Sequence, residues 1–406
     1  MALRRALLVA AVGIAAPGCG GALADGPPTL GAVATGTHDG CISVKTGGDE
    51  DGDGVLGDDE ATVTTELCAP ARPPKCGDGK ALTGRIVIST DADWDQLADV
   101  ACIDGDLVIT GVLDPELRNL APLATVTGDV AIAGDPLFTT LGGLAGVQTI
   151  GGTLLVQGND ALADLTGAGG IPQLRELAIV GNRHLPDLTG LESFDCTTAL
   201  RVTDNAELAS LTGLDDHRCI GALTLARDPA LTDVTALDHL TEAAAFELDS
   251  VPVGERFAPQ LTSVAGQLRI TGESFRRLEL PALSGVGDLD VEDNGTLAVV
   301  DMPGLYGAAN LRVANDPALV GLRVGIASAE TIELVGLPAL SAVQFGAISA
   351  LGGTLDIEHT GLGALGAFGS IGKVGGDLIL HGNGVPLRLE RAFADHVEVG
   401  GSRSVD

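Results

Sequence analysis

The sequence is poor in rings, in lysine and in long apolar runs. Aromatic residues make up 2% of its 406 residues, with one Trp and one Tyr. A core must therefore be built from aliphatic side chains, which suits thin, regular layers. Lys and Arg together number 23 against 55 Asp and Glu, for a formal net charge of −32. Without a basic stripe the chain is not a nucleic-acid binder, and it has no electrostatic attraction for anionic headgroups. After the N-terminal segment no apolar run reaches the ~18 residues that would suggest a membrane-spanning helix. No Cys-x-x-Cys spacing occurs among the seven cysteines, which argues against a zinc knuckle. Gly-x-Ser-x-Gly, His-Glu-x-x-His and the P-loop are also missing.

What is present is glycine, 58 residues of it, and a 45% hydrophobic content that separates the chain from acidic disordered sequences. Arg4 and Arg5 precede an apolar run from Ala6 to Ala16, the pattern of an export signal. Two cleavage readings stand side by side. Ala22-Leu23-Ala24 forms a small-x-small site before Asp25, giving a signal segment of residues 1–24. Ala16-Pro17-Gly18-Cys19 resembles a bacterial lipobox, which implies a lipid on Cys19 and anchorage to a membrane. Setting Cys19 aside leaves six cysteines, an even number that in an oxidising compartment predicts three disulfides.

Residues 25–37 read as a linker and 38–69 as a small acidic module. From Asp49 to Glu60 the sequence matches the EF-hand calcium loop. Asp49, Asp51 and Asp53 fall at loop positions 1, 3 and 5, and Gly54 at the sharp turn. Val55 would offer its carbonyl, and Glu60 would close the shell in bidentate fashion. Ca²⁺ favours six to eight hard oxygens, and the ion would relieve the mutual repulsion of these carboxylates. The span from Gly40 to Cys68 resembles a Cys-flanked module found near the N-termini of secreted bacterial proteins, which implies that Cys41 and Cys68 close it. Pro70, Pro73 and Pro74 mark a linker over residues 70–84.

The remainder, 85–406, is a repeat. Its heart is an apolar-x-apolar triplet that recurs every 19–24 residues, at Leu107, Val130, Leu154, Leu177, Leu200, Leu223, Phe246, Leu268, Leu289, Leu311, Ile332, Leu355, Leu378 and Val397. Such a period predicts a solenoid of about 14 rungs. Five residues after the first apolar position stands Asn or Asp in eight units, among them Asp135, Asn159, Asn182, Asn205, Asn294 and Asp316. It is expected to turn the chain and bond neighbouring backbone. Gly pairs such as Gly151-Gly152, which precede several strands, are expected to supply a tight turn or positive φ. Asp93 to Ala101 carries Trp94, Leu97, Ala98 and Ala101 on one helical stripe, predicting a short capping helix. Cys196 and Cys219 occupy equivalent places on consecutive rungs, which fits a disulfide. Cys76 and Cys102 form the remaining pair. The predicted class is mainly β, a right-handed parallel β-solenoid.

The stretch from Ile88 to Leu97, and on through Cys102 to Ile109, resembles the start of receptor L-domains and related fungal cell-wall proteins. Leucine-rich repeats of about 22 residues are the near alternative. Both resemblances imply surface display and recognition rather than catalysis. The middle residue of each triplet should point outward. In the early rungs this gives an apolar strip, Val108, Ala131, Leu155 and Ala178, expected to be covered by the acidic module or to dock a partner. In later rungs Glu247, Arg269, Asp290, Arg312 and Glu333 alternate in sign, as in a register-fixing ladder. His217, His239, His359 and His381 read as surface turn residues. The reading is an exported, monomeric, non-enzymatic recognition or adhesion protein that binds a protein or surface glycan. Its rivals are a carbohydrate-active enzyme on a β-helix and a structural envelope spacer.

Overall fold

The computed structural model describes residues 30–36, 41–48, 61–68, 74–112, 117 and 120–406. The export signal, Cys19, the loop from Asp49 to Glu60 and most of the Pro-rich linker lie outside the described residues. The chain divides into two compact units, Met1–Leu208 and Ala209–Asp406.

The first unit holds two structures. One is a three-stranded antiparallel sheet of β1 (Leu30–Gly36), β2 (Cys41–Gly48) and β3 (Ala61–Cys68), in the order β1-β2-β3. The other is a parallel stack that opens with Ile86–Ile88 and continues with rungs beginning at Leu107, Val130, Leu154, Leu177 and Leu200. The rungs stack in register, with Val130 beside Leu154 and Leu154 beside Leu177. The triplet ends point inward and are buried, as are Leu162, Leu165, Leu185 and Leu188 on the return segments. The period-2 alternation of a strand and the spacing of the returning Leu residues together close an apolar interior.

The second unit repeats the plan nine times, from Leu223 to Arg403. It adds a second parallel sheet from Arg277–Glu279, Val299–Met302, Gly321–Val324 and Ala342–Gln344. Its few rings pack together: Phe257 lies 5.9 Å from Phe246 and 6.2 Å from Phe275.

Three local expectations are corrected. Helix α1 (Leu387–His396) lengthens the last turn, so the final rung is Arg403-Ser404-Val405, paired with Leu378–Leu380. The Val397-Glu398-Val399 triplet instead contributes to a side sheet beside Lys373–Val374. The stripe at Trp94 is a 3-10 helix over Asp91–Leu97, because a Thr90–Asp93 capping box starts it early and the chain is already in a strand by Val100. Gly151 and Gly152 do not supply positive φ. They allow close stacking, since a Cβ on Gly152 would lie 1.9 Å from Asp129 Oδ1. The positive φ falls four residues after the first triplet position, at Gly134, Gly158 and Gly181 in the first unit.

Candidate functional site

The Asn/Asp column is interior. Asp135, Asn159, Asn182, Asn205, Asp228, Asn294 and Asp316 are fully buried. Each Asn serves two rungs. Asn182 Oδ1 accepts the Asn159 N–H at 3.0 Å, and Asn182 Nδ2 donates to Val156 O at 2.9 Å. Asn159 Nδ2 donates to Ile132 O, and Asn205 Nδ2 to Ile179 O. The column supports the scaffold and offers nothing to solvent. Sequence reasoning missed two members, Glu273 and Thr360, because neither is Asn or Asp. Glu273 nonetheless accepts from Val251 N–H and donates its own N–H to Asn294 Oδ1 at 2.9 Å. Thr360 bonds Asn383 Oδ1 through its hydroxyl at 2.7 Å. Position in the period, not residue type, was the signal that could have found them.

The early outward strip is not a free surface. Val108, Ala131, Leu155 and Ala178 are fully buried and form one apolar cluster with Ala133 and Val180. Strand β1 lies beside Leu107–Thr110, and β2 beside Val130–Ala133. The chain's own antiparallel sheet therefore closes this face, which agrees with its expected covering by the Cys-flanked segment and corrects the alternative, a docking surface. The physical reason is that small apolar outward residues let a second sheet approach closely.

Two strands of the same sheet flank the acidic segment in sequence. β2 and β3 pair antiparallel with Cys41 opposite Cys68 and Gly47 opposite Ala61. The segment carrying Asp49, Asp51, Asp53, Val55 and Glu60 falls between these two strands in the chain and lies outside the described residues. Cys76 and Cys102 form a disulfide with a Cα–Cα distance of 5.7 Å. Cys196 and Cys219 are each disulfide-bonded.

The exposed chemistry of the second unit lies on the outward column of its main sheet. Glu247, Arg269, Asp290, Arg312 and Glu333 stand on successive register partners. Arg269 bonds Glu292 at 2.6 Å and lies 3.8 Å from Glu247 and 3.9 Å from Asp290. Arg312 reaches Glu292 at 3.2 Å and Glu333 at 3.7 Å. Burial works against the Arg269 charge, but the Glu292 hydrogen bond and the surrounding carboxylates raise its pKa.

Alternation then fails. Glu333 is the register partner of Asp356, with no Arg between them. Burial pushes Asp356 up to about 6, and Glu358 and Glu333 act in the same direction against His381. His381 Nδ1 lies 3.0 Å from Glu358 Oε1, and its Nε2 lies 2.7 Å from Ser404 Oγ. This Glu-His-Ser row has a structural cause. Glu358 and His381 are register partners, and Ser404 stands opposite Ile379, next to His381. His359, by contrast, holds a left-handed turn with φ 54°. In the first unit a shallow groove runs between Pro74 and the polar side chains of Thr149, Gln173, Arg175 and Thr197. Nearby, burial pushes Asp129 up to about 6.

Among the described residues no group of three or more His, Cys, Asp or Glu is arranged to hold a metal ion. No helix among them is long and apolar enough to cross a membrane.

Rung geometry and the internal Asn column define a leucine-lined parallel β-solenoid. No family model matches the chain, and no curated protein matches it. Among solved structures it is similar to a leucine-rich-repeat protein of Leptospira interrogans, at 15% identity and a TM-score of 0.36, covering 77% of this chain and 93% of that one. It is also similar to the functional domain of InlJ from Listeria monocytogenes, which includes a cysteine ladder, at 13% identity and a TM-score of 0.30, covering 72% and 66%. Likenesses this distant assign neither an activity nor a partner.

Proposed function

We propose that the protein is an exported, non-enzymatic recognition scaffold whose binding surface is the outward sheet face of the second unit. The observation that carries this is the break in charge alternation. Like charges directly opposite one another on a sheet are unfavourable, and Glu333–Asp356 is retained on an exposed row that is otherwise neutralised by Arg269 and Arg312. A cationic group of a partner protein, or of an amino-bearing surface glycan, would complete the row. Disulfide-bonded cysteines support an oxidising compartment, and the Cys19 motif would tether the chain to a membrane as a lipoprotein.

The β2–β3 connection is the calcium module of this reading. Asp49, Asp51, Asp53, the Val55 carbonyl and Glu60 would hold Ca²⁺, with a Cys41–Cys68 bond closing the hairpin base. Calorimetric Ca²⁺ titration of the mature chain beside an Asp49→Ala, Glu60→Ala variant tests the module: heat in the first and none in the second is expected, and equal heats refute it. The face is tested with a lysine-rich peptide and an amino-glycan array in millimolar calcium. Salt-sensitive binding lost in Glu333→Gln, Asp356→Asn is expected. No binding by the wild type, or binding unchanged in the variant, overturns the assignment.

A further inference from the structure

The acids buried in the interior column pose a chemical problem that the asparagines do not. An Asn uses one oxygen to accept from the N–H of the preceding rung and its amide N–H to donate back to a strand carbonyl. Asn159, Asn182 and Asn205 donate to Ile132 O, Val156 O and Ile179 O, and Asn294 donates to Ile270 O. Asp135, Glu273 and Asp316 make the accepting half of this pattern. Asp135 Oδ1 accepts from Val112 N–H at 2.6 Å, Glu273 Oε1 from Val251 N–H at 3.1 Å, and Asp316 Oδ1 from Asn294 N–H at 2.6 Å. Their second oxygens, Asp135 Oδ2, Glu273 Oε2 and Asp316 Oδ2, are buried and have no hydrogen-bond partner among the described residues. In the asparagines of the column the corresponding second atom is the donating amide nitrogen. The strand carbonyls that would receive a donor there belong, by register, to Ile109, Leu248 and Val291. An ionised carboxylate has no proton to give them.

We propose that Asp135, Glu273 and Asp316 stand in the column as neutral carboxylic acids, each O–H taking the place of an asparagine N–H, so that the solenoid loosens as the pH rises. A buried neutral acid with a donor in reach of a carbonyl is satisfied, whereas the ionised form faces that carbonyl with like partial charge.

The surroundings agree. Among the described residues no charged side chain acts on Asp135, and burial pushes it up to about 8 against the Val112 N–H. Burial pushes Glu273 to about 7, with Asp249 adding to the shift and the Val251 and Ser250 N–H groups opposing it. Asp316 is pushed to about 7 by burial, Asp293 and Glu292, against the Asn294 backbone and side chain. The folded state therefore holds protons that the unfolded chain releases near its ordinary carboxyl values. The stabilisation is whole below about pH 4 and is lost as the pH rises through 7 to 8.

The test is the thermal midpoint of the full chain between pH 5 and pH 9. The wild-type midpoint should fall across this range. In Asp135→Asn, Glu273→Gln, Asp316→Asn it should fall much less, because an amide donates at any pH. A control, Asp95→Asn, Glu255→Gln, Asp395→Asn, removes three exposed charges and should keep the wild-type slope. The converse variant Asn182→Asp should gain a new fall. A protonated-carboxyl infrared band that persists in the wild type at pH 7, above the range in which Asp129 and Asp356 keep a proton, reads the same state even if the triple variant fails to fold. A triple variant with the wild-type slope, or no such band, overturns the proposal.

Discussion

The outward columns of the two units share one backbone geometry and differ in chemistry. Val108, Ala131, Leu155 and Ala178 in the first unit are fully buried beneath a second sheet. Glu247, Arg269, Asp290, Arg312 and Glu333 in the second unit form an ion-paired row with Arg269 and Glu247 both more than a third exposed. The same rung position is core in one place and surface in the other. What differs is whether another part of the chain lies over it. The units differ also at the left-handed turn. In the first unit it is mostly glycine, at Gly111, Gly134, Gly158 and Gly181 with Asp204 as the exception, whereas the second mixes Arg227, Ser250, Asp293, Asn315 and His359 with Gly272, Gly336 and Gly382. A non-glycine residue there costs roughly 1 kcal/mol.

The strongest way to break the comparison is to put a carboxylate on each column. Ala178→Glu buries an unpaired charge under the covering sheet and should cost about 3–5 kcal/mol, read as a fall in the urea midpoint. Thr224→Glu, at the same place in a rung of the second unit and opposite Glu247, should cost no more than about 1 kcal/mol. Equal effects would mean that the early face is open. Next in size is the disulfide that ties residue 76 to the first rungs. Cys76→Ser, Cys102→Ser opens a link spanning 26 residues, for a loss of about 3 kcal/mol in the chain-entropy view. Thermal unfolding with and without reductant measures it, and the loss should fall on the first unit. Ser250→Gly sharpens the second difference: it should stabilise the second unit by about 1 kcal/mol, because glycine adopts φ near 56° without a Cβ clash. A neutral or destabilising result would mean that the Ser250 hydroxyl, bonded to Asp249 at 2.8 Å, outweighs the strain.

Much of the scaffold was legible because it is periodic. Apolar-x-apolar triplets placed the strands, Leu at fixed offsets placed the interior, and a polar residue five positions on placed the column. Where the period was broken, legibility failed. Helix α1 displaced the last rung from Val397 to Arg403. Glu273 and Thr360 entered the column by position although their residue types did not announce it. The role of Gly151 and Gly152 was misplaced because a rung's close approach to its neighbour is a property of stacking, not of local sequence. Of the candidate face, the alternating charges were readable; the unneutralised Glu333–Asp356 pair became meaningful only once register set them side by side.

The sequence by itself determined the repeat, its period and the alternation of inward and outward side chains, since strand geometry follows from residues close in the chain. It also carried the acidic loop and the cysteine count. Tertiary structure alone decided which outward face is covered, that the strands flanking the acidic segment pair with each other, and that three buried acids stand at asparagine places of the column. Those outcomes depend on which distant segments meet, and the burial that shifts a carboxyl or hides an alanine exists only after they do.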